Sequence, residues 1–344
     1  MKAVRLHSYD EWPSIDEVPE PEITGPLDVI VRIGGAGLCR TDLHIWEGQW
    51  APTTHIELPY TIGHENAGWV HAVGTAVTNM AVGDAVIVHP KITCGLCRPC
   101  RDGDDMHCED GAFPGIDTDG GWAELLRTSA RSVVKLPDGI HPADVAAHAD
   151  AGLTAYHAVK TAVLRGLLLP GTTAVVIGAG GLGHIGIQSL AALCAADIVV
   201  IDRAEAALEL ARSCGATHTI QADGAHVDQV LEMTDGKGAE VVFDFVGERG
   251  TVAEAFAMTK RAGSQFVIGY GENIDVPTLD VISTERSFVG SLVGTYNDLV
   301  ELMTLAGQGK VTLHTQRFPL DEAVHAMQEL HHERLHGRGI LVPA

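Results

Sequence analysis

The stretch TAVVIGAGGLGHIGIQSLAAL, residues 173–193, decides the fold of this chain. An apolar run long enough for a strand leads into a glycine-rich turn, and an apolar segment long enough for a helix follows. Gly178, Gly180 and Gly183 form the pattern G-x-G-x-x-G. Alone this pattern is weak, but between a strand and a helix it is typical of a dinucleotide-binding turn. A purely structural glycine-rich turn is the alternative interpretation.

Each residue of this turn has a defined task if a dinucleotide binds. Gly178 would permit the tight turn, Gly180 would let backbone N–H groups approach a pyrophosphate, and Gly183 would allow close helix–strand packing. Gly181 and Leu182 complete the loop. The helix N-terminus that follows stabilises phosphate charge.

The acidic residue that such a site needs is Asp202, 24 positions after Gly178 at the end of the next apolar run. A carboxylate there can accept hydrogen bonds from both ribose hydroxyls and would repel a 2′-phosphate, which favours NAD over NADP. Arg203 favours NADP instead, because an adjacent guanidinium can attract that phosphate.

The same order of strand, turn and helix repeats along the middle of the chain. Strands are expected at 173–177, 197–201, 218–220, 240–245 and 264–268, and helices near 182–195, 204–213, 225–234 and 251–261. Strands that alternate with helices in this way predict a doubly wound parallel sheet. With 344 residues, the chain is long enough for two domains.

Three segments are therefore expected. Residues 1–151, with short alternating runs and turn signals, would form a β-rich domain; 152–294 would form the dinucleotide-binding domain; 295–344 would return to the first domain. The net charge of −22, from 45 acidic against 23 basic side chains, argues against nucleic-acid and anionic-membrane partners, which need basic surfaces. The sequence shows neither a signal peptide nor an apolar run long enough to span a bilayer, so a cytoplasmic location is expected.

A compact cysteine motif stands at residues 94–108. Cys94, Cys97, Cys100 and Cys108 have the spacing C-x2-C-x2-C-x7-C. Four thiolates can close a tetrahedron around one Zn²⁺, which leaves no open position and indicates a structural site. An iron–sulfur cluster is the more specific alternative, since ferredoxins use a similar run of cysteines. Free or disulfide-bonded thiols are the third possibility.

A second metal site would combine residues that are far apart in sequence. Cys39 in CRTDLH, His64 in GHENAG and Asp150 in DAGLTAYHA each offer one ligand. Three protein ligands with an open fourth position are the arrangement of catalytic zinc. A lone histidine is more often a packed residue than a ligand, so this prediction depends on the three residues converging.

Together, CRTDLH, GHENAG, VGDAV, the four-cysteine motif, DAGLTAYHA and GAGGLG resemble the zinc-dependent medium-chain alcohol dehydrogenases over the whole chain. The resemblance implies a GroES-like β-rich catalytic domain and a Rossmann domain, with the catalytic zinc between them. It also implies that Cys39 and His64 are ligands of that zinc, with Glu65 close behind the metal. Asp42 would orient the ligand histidine.

The resemblance also implies catalytic and cofactor-binding residues. Thr41 would take the substrate proton and His44 would pass it to solvent. The residues expected to contact NAD beyond the glycine turn and Asp202 are Arg40, Thr154, Phe245, Val246, Gly269, Ser291, Leu292 and Arg338. Many family members have a third cysteine where this chain has Asp150, and the aspartate resembles a bacterial and yeast subgroup acting on secondary alcohols and ketones.

These features predict an NAD- and zinc-dependent dehydrogenase of secondary alcohols or ketones, with two zinc ions per chain. Loss of the hydroxyl proton is the difficult step at neutral pH, and zinc can lower the pKa of bound water from about 16 to about 7. A polyol dehydrogenase is the alternative within the class, and a non-catalytic zinc- and NAD-binding protein is the alternative outside it. The resemblance suggests a homotetramer.

Overall fold

A computed structural model describes residues 1–54, 56–335 and 337–344 and contains two compact units. The first unit comprises Met1–Leu153 together with Thr295–Ala344, and the second comprises Thr154–Gly294. Among the described residues, no helix combines the length and the apolar character that crossing a membrane requires.

The first part of the first unit is dominated by short strands. They are β1 (Lys2–Leu6), β2 (Ser14–Glu17), β3 (Asp28–Leu38), β4 (Tyr60–Thr61), β5 (Glu65–Val73), β6 (Ala85–Val88), β7 (Leu125–Ser129) and β8 (Val133–Lys135). The helices are α1 (Arg40–Trp46), α2 (Ala51–Thr54), α3 (Arg98–Asp102) and α4 (Ala151–Leu164). The boundary between the units falls within α4.

The second unit alternates strands and helices. The strands are β9 (Thr173–Ile177), β10 (Asp197–Asp202), β11 (His218–Gln221), β12 (Ala239–Asp244), β13 (Thr259–Val267) and β14 (Ser287–Gly290). The helices are α5 (Gly183–Leu193), α6 (Glu205–Ser213), α7 (His226–Met233), α8 (Thr251–Met258) and α9 (Thr278–Thr284). The chain then re-enters the first unit with α10 (Tyr296–Gly307), β15 (Thr315–Pro319), α11 (Ala323–His331) and β16 (Arg338–Val342).

The main sheet of the first unit has the order β15-β16-β3-β5-β6-β8, and β7 also pairs with β3. Strands β3 and β5 are antiparallel, with Gly37 opposite Glu65. This register brings two of the predicted zinc ligands near each other, because β3 ends one residue before Cys39 and β5 begins one residue after His64. Strand β16 pairs on the other side of β3, with Ile340 opposite Gly37.

The sheet of the second unit is parallel throughout, in the order β11-β10-β9-β12-β13-β14. Its central strands are rich in buried Val and Ile, as expected for a sheet covered by helices on both faces. The order reverses between β9 and β12, which is where doubly wound sheets bind ligands. The parallel Rossmann-type sheet of the second unit and the β-rich character of the first confirm the predicted α/β fold class.

Two sequence predictions in this unit need correction. The helix expected near 251–261 ends at Met258, and β13 begins at Thr259 rather than at residue 264. Thr259 is β-branched and pairs with Ala239 of β12, while its hydroxyl donates to the carbonyl of Ala255 in the last turn of α8. Strand β14 was not predicted, because its four residues, SFVG, are too few to give a clear pattern.

Candidate functional site

The loop that holds Cys39 is built by helix capping. Cys39 is the N-cap of α1, and Asp42 at the third helical position accepts a hydrogen bond from the Cys39 backbone amide at 2.8 Å. This hydrogen bond, which is one half of a capping box, fixes the first turn of the helix. The other oxygen of Asp42 lies 3.2 Å from Nδ1 of His64. One buried carboxylate therefore positions both Cys39 and His64.

Four potential ligands converge in the first unit. Sγ of Cys39, a ring nitrogen of His64 and carboxylate oxygens of Glu65 and Asp150 all lie within 4.8 Å of one another. Nε2 of His64 is 3.5 Å from Oδ2 of Asp150, near the edge of about 3.3 Å of a tetrahedron with metal–ligand bonds of about 2.0 Å. The structure thus brings together the three residues predicted as catalytic zinc ligands, with Glu65 beside them.

The charges around this cluster favour a cation. Burial alone would lower the pKa of His64, but the carboxylates of Asp42 and Asp150 outweigh it and raise that pKa well above its ordinary value. Burial raises the pKa of Glu65, and the neighbouring Arg338 offsets this only in part. Oε2 of Glu65 is buried and has no hydrogen-bond partner among the described residues. A soft sulfur, an imidazole and carboxylates suit Zn²⁺.

Arg338 forms a buried pair that the sequence did not predict. Its Nη2 donates to Oε1 of Glu65, and that oxygen also accepts a hydrogen bond from the amide of Ala151 at 3.0 Å. The charges of Glu65 and Cys39 raise the pKa of Arg338 although burial opposes this. A side chain at Gly37 would collide with the Glu65 carboxylate. Through this oxygen of Glu65, strand β16 is linked to Ala151, the residue that follows Asp150.

The predicted proton-relay residues lie on the same short helix. Thr41 and His44 are three positions apart on α1, a spacing that places side chains on one helix face. His44 is buried, with Nδ1 3.5 Å from Oε2 of Glu47. Arg40, at the first position of α1, is exposed. Trp46 stacks on Trp12 at 4.3 Å and packs against the core, which indicates a structural role for this tryptophan.

The four-cysteine motif forms a separate cluster. The sulfur atoms of Cys94, Cys97, Cys100 and Cys108 lie within 4.8 Å of one another, and those of Cys97 and Cys108 are 3.9 Å apart. Zn–S bonds of about 2.3 Å give a tetrahedral edge of about 3.8 Å, so the cluster fits zinc. All seven cysteines are free thiols. Hydrogen bonds from the amides of Leu96 and Cys97 lower the pKa of Cys94 to about 6.

One acidic residue between the third and fourth cysteines makes a contact outside this segment. Asp105 is buried, and its Oδ1 accepts a hydrogen bond from the amide of Tyr296 at 3.0 Å. The Tyr296 hydroxyl in turn donates to the carbonyl of Val133 at 3.2 Å. The cysteine segment therefore holds the first residue of α10 by a contact that no local sequence pattern predicts.

In the second unit, most predicted cofactor residues gather at the carboxyl ends of the parallel strands. Gly178 follows β9 with φ +87°, where a side chain would be strained. A Cβ at Gly183 would collide with the Gly178 carbonyl, whereas one at Gly180 would meet no atom within 4 Å. The glycine turn is therefore tight toward the sheet and open on the side where a pyrophosphate has to approach, which fits a dinucleotide.

The remaining predicted residues follow the other strands. Asp202 ends β10 and is held by the amides of Ala179 and Ala204, at 2.8 and 2.9 Å. The other members of the set are Arg203 after β10, Phe245 and Val246 after β12, Gly269 after β13, and Ser291 and Leu292 after β14. Thr154 is the exception within this unit, since it lies on α4 and not at a strand end.

Asp244 is a buried residue that the sequence interpretation did not use. Its Oδ1 accepts hydrogen bonds from the amides of Val246 and Gly247, both at 2.9 Å, and its Oδ2 accepts one from the Thr251 hydroxyl. Burial raises the pKa of its carboxyl group, and those donors oppose the shift. The acidic residue within the apolar run EVVFDF was the sequence feature that could have indicated this role. Asp244 fixes the loop that carries Phe245 and Val246.

Comparisons with known proteins agree with this geometry. Residues 25–138 match the family model of the alcohol dehydrogenase GroES-like domain, and residues 181–308 match that of the zinc-binding dehydrogenase. An NAD-dependent alcohol dehydrogenase of Sulfurisphaera tokodaii is 33% identical over 352 residues, covering all of both chains. A D-arabinose 1-dehydrogenase (NADP(+)) of Saccharolobus solfataricus is 33% identical, covering 99% of this chain and 97% of the relative.

Solved structures extend the likeness to three dimensions. The alcohol dehydrogenase of the hyperthermophilic archaeon Aeropyrum pernix is 45% identical, covers 100% of both chains and superimposes with a TM-score of 0.96. The alcohol dehydrogenase TADH of Thermus sp. ATN1 is 29% identical with a TM-score of 0.89, again over the whole of both chains. The match in fold is therefore complete along the chain.

Proposed function

Because the chain belongs to the zinc-dependent medium-chain alcohol dehydrogenase family, we propose that it transfers a hydride between an alcohol or ketone and NAD(H). The observation that carries this proposal is the convergence of Cys39, His64 and Asp150, with Glu65 beside them, inside the first unit. We assign the catalytic zinc to this cluster and a structural zinc to the four-cysteine cluster.

The protein side of the reaction follows from the residues of α1. When bound, zinc supplies the Lewis acid that makes the substrate hydroxyl acidic, and NAD accepts the hydride. Thr41 takes the hydroxyl proton, and His44 hands it to solvent, since imidazole exchanges protons near neutral pH. Asp42 orients the imidazole of His64 through Nδ1, which leaves Nε2 facing Asp150, where it would hold the metal.

We assign the dinucleotide to the carboxyl edge of the second unit, with NAD preferred over NADP. The carboxylate of Asp202 stands at the end of β10, and its negative charge opposes a 2′-phosphate. The NADP-dependent relative and the neighbouring Arg203 make this a point to test. We expect Asp202→Ala to raise KM for NAD about tenfold or more and to leave KM for NADP unchanged or lower. Equal effects on both cofactors would remove the ribose role from Asp202.

Secondary alcohols and ketones are the proposed substrates, on the ground that Asp150 takes the third ligand position. The alternative is a polyol or sugar substrate, as the name of the D-arabinose-oxidising relative suggests. A panel of 2-propanol, 2-butanol, butanediol, sorbitol and D-arabinose, compared by kcat/KM at a fixed NAD concentration, separates these classes. A higher kcat/KM for sorbitol, butanediol or arabinose would select the alternative.

The decisive experiment measures metal and turnover on the same preparation. We expect about two zinc ions per chain, one for each cluster, and growth of NADH absorbance with 2-propanol and NAD. A chelator that removes the zinc of the Cys39–His64–Asp150 cluster should abolish turnover, and added Zn²⁺ should restore it. A protein that binds NADH and two zinc ions, yet turns over no member of the panel, would instead be a non-catalytic binding protein.

We also propose a cytoplasmic homotetramer. Seven free thiols suit a reducing compartment. Apolar side chains of α9, among them Leu279 and Ile282, are 68% and 70% exposed in the single chain, and β14 is the edge strand of its sheet. Light scattering coupled to size exclusion tests the assembly, and replacing Leu279 and Ile282 by Asp should reduce its mass.

A further inference from the structure

His184 is a fully buried residue of α5 that the proposed mechanism leaves without a task. It follows Gly183 directly, at the start of the helix behind the glycine turn. Its Nδ1 lies 2.8 Å from the carbonyl oxygen of Gly180. A carbonyl oxygen only accepts, so Nδ1 carries the proton and donates to it.

The same carbonyl receives a second hydrogen bond from His184. The backbone amide of His184 reaches the Gly180 oxygen at 3.3 Å, which is a long bond at a helix start. The imidazole contact is the shorter of the two, so the side chain reinforces a weak backbone bond. Together they hold the Gly180 carbonyl toward the helix.

The peptide plane turns this contact into an effect on the opposite side of the loop. In a trans peptide the C=O of one residue and the N–H of the next point in opposite directions. Fixing the Gly180 carbonyl toward α5 therefore fixes the N–H of Gly181 away from it. The Cβ direction of Gly180 is open for 4 Å, so nothing in the described chain blocks an approach there.

We propose that His184 is a positioning residue that orients the Gly180–Gly181 peptide so that the Gly181 N–H meets the pyrophosphate of NAD. This inference rests on the proposed dinucleotide function and deepens it. A preset amide avoids the cost of ordering the loop on binding. We expect the effect to fall on pyrophosphate binding, because the imidazole donates to the carbonyl of that same peptide.

The test compares ligands with and without a pyrophosphate. Dissociation constants for NADH and ADP-ribose, which contain it, and for adenosine, which lacks it, are measured with the zinc-loaded full chain by fluorescence titration and competition. We expect His184→Ala to raise the dissociation constants of NADH and ADP-ribose about tenfold, which corresponds to about 1.4 kcal/mol. The dissociation constant of adenosine should stay unchanged. His184→Asn should restore most of the affinity, since its amide nitrogen takes the place of Nδ1.

The chain offers a matched control on the same helix. Ser189 is also fully buried and donates from Oγ to the carbonyl four residues earlier, Ile185, at 2.9 Å. Ser189→Ala removes a comparable bond away from the turn and should leave all three constants unchanged. Should His184→Ala fold poorly, His184→Leu keeps apolar volume without the donor and takes its place.

The outcomes distinguish a failure of the positioning role from a failure of the proposed function. Equal weakening of all three ligands, no weakening of NADH, or failure of His184→Asn to improve on His184→Ala would each overturn the positioning role while leaving the dehydrogenase assignment intact. Absence of NADH binding by the unaltered protein would overturn the proposed function, and the inference with it.

Discussion

The two clusters of metal-binding side chains are built in opposite ways. The four cysteines come from 15 consecutive residues, 94–108, and three of them are partly exposed. Cys39, His64, Glu65 and Asp150 come from three separate segments and, apart from the partly exposed Asp150, are buried. A local cluster needs only a short segment to close around a metal. A distributed cluster needs the whole sheet of the first unit to be folded before its ligands meet.

The local and the distributed cluster also differ in the chemistry that they allow. Four thiolates satisfy zinc completely and leave no position for a substrate. The distributed cluster offers fewer strong ligands, and it is surrounded by residues with tasks of their own: Asp42 behind His64, Arg338 behind Glu65 and Thr41 on the adjoining helix. We therefore propose that the local cluster serves stability and that the distributed cluster serves catalysis.

The largest expected effect is that of His64→Ala. Losing the imidazole should release the distributed zinc and lower turnover by about 10³-fold or more, because the metal contributes several kcal/mol to the reaction. Elemental analysis should show one zinc left per chain, in the cysteine cluster. Loss of both metals with intact circular dichroism would show that the two clusters are not independent.

The next effect concerns the buried pair of Arg338 and Glu65. Arg338→Met leaves a buried carboxylate without its partner, which typically costs about 3–5 kcal/mol and should lower the unfolding midpoint by at least about 6 °C. Adding Glu65→Gln should recover part of that loss. A double-mutant cycle in thermal unfolding measures the coupling, and additive losses would mean that the two side chains do not support each other.

Cys100→Ser tests the local cluster. We expect one zinc to be lost and the unfolding midpoint to fall by about 5 °C, since a shift of about 2–4 °C accompanies each kcal/mol in a unit of this size. The distributed zinc should remain, and specific activity at 25 °C should stay within about twofold of the unaltered protein. A large loss of activity at full occupancy of the catalytic zinc would argue that the cysteine segment takes part in the reaction.

The smallest effect is expected from Asp150→Cys. Cysteine keeps the ligand charge and binds zinc more tightly, because a thiolate is the softer donor. Zinc should dissociate more slowly in a chelator competition, while kcat changes by less than about tenfold as the metal becomes a weaker Lewis acid. Faster loss of zinc from the cysteine variant would mean that the residue at 150 is not a ligand.

Several parts of the molecule were predictable from local pattern. GAGGLG between an apolar strand and a helix predicted the parallel sheet, since the period and order of apolar residues encode which segments are strands and helices. The spacing of the four cysteines predicted their cluster, because short loops limit how far apart their sulfur atoms can lie. The last residues of a helix and a four-residue strand were not predictable, as Thr259 and β14 show.

The sequence by itself determined the fold class, the glycine turn after β9 and the local cysteine cluster, because each of these depends on residues that are neighbours along the chain. Only the tertiary structure decided that Arg338 pairs with Glu65, that Asp42 serves Cys39 and His64 together, and that Asp105 holds Tyr296. These contacts join residues up to 273 positions apart. Strand register and burial set them, and neither is a property of any short stretch of sequence.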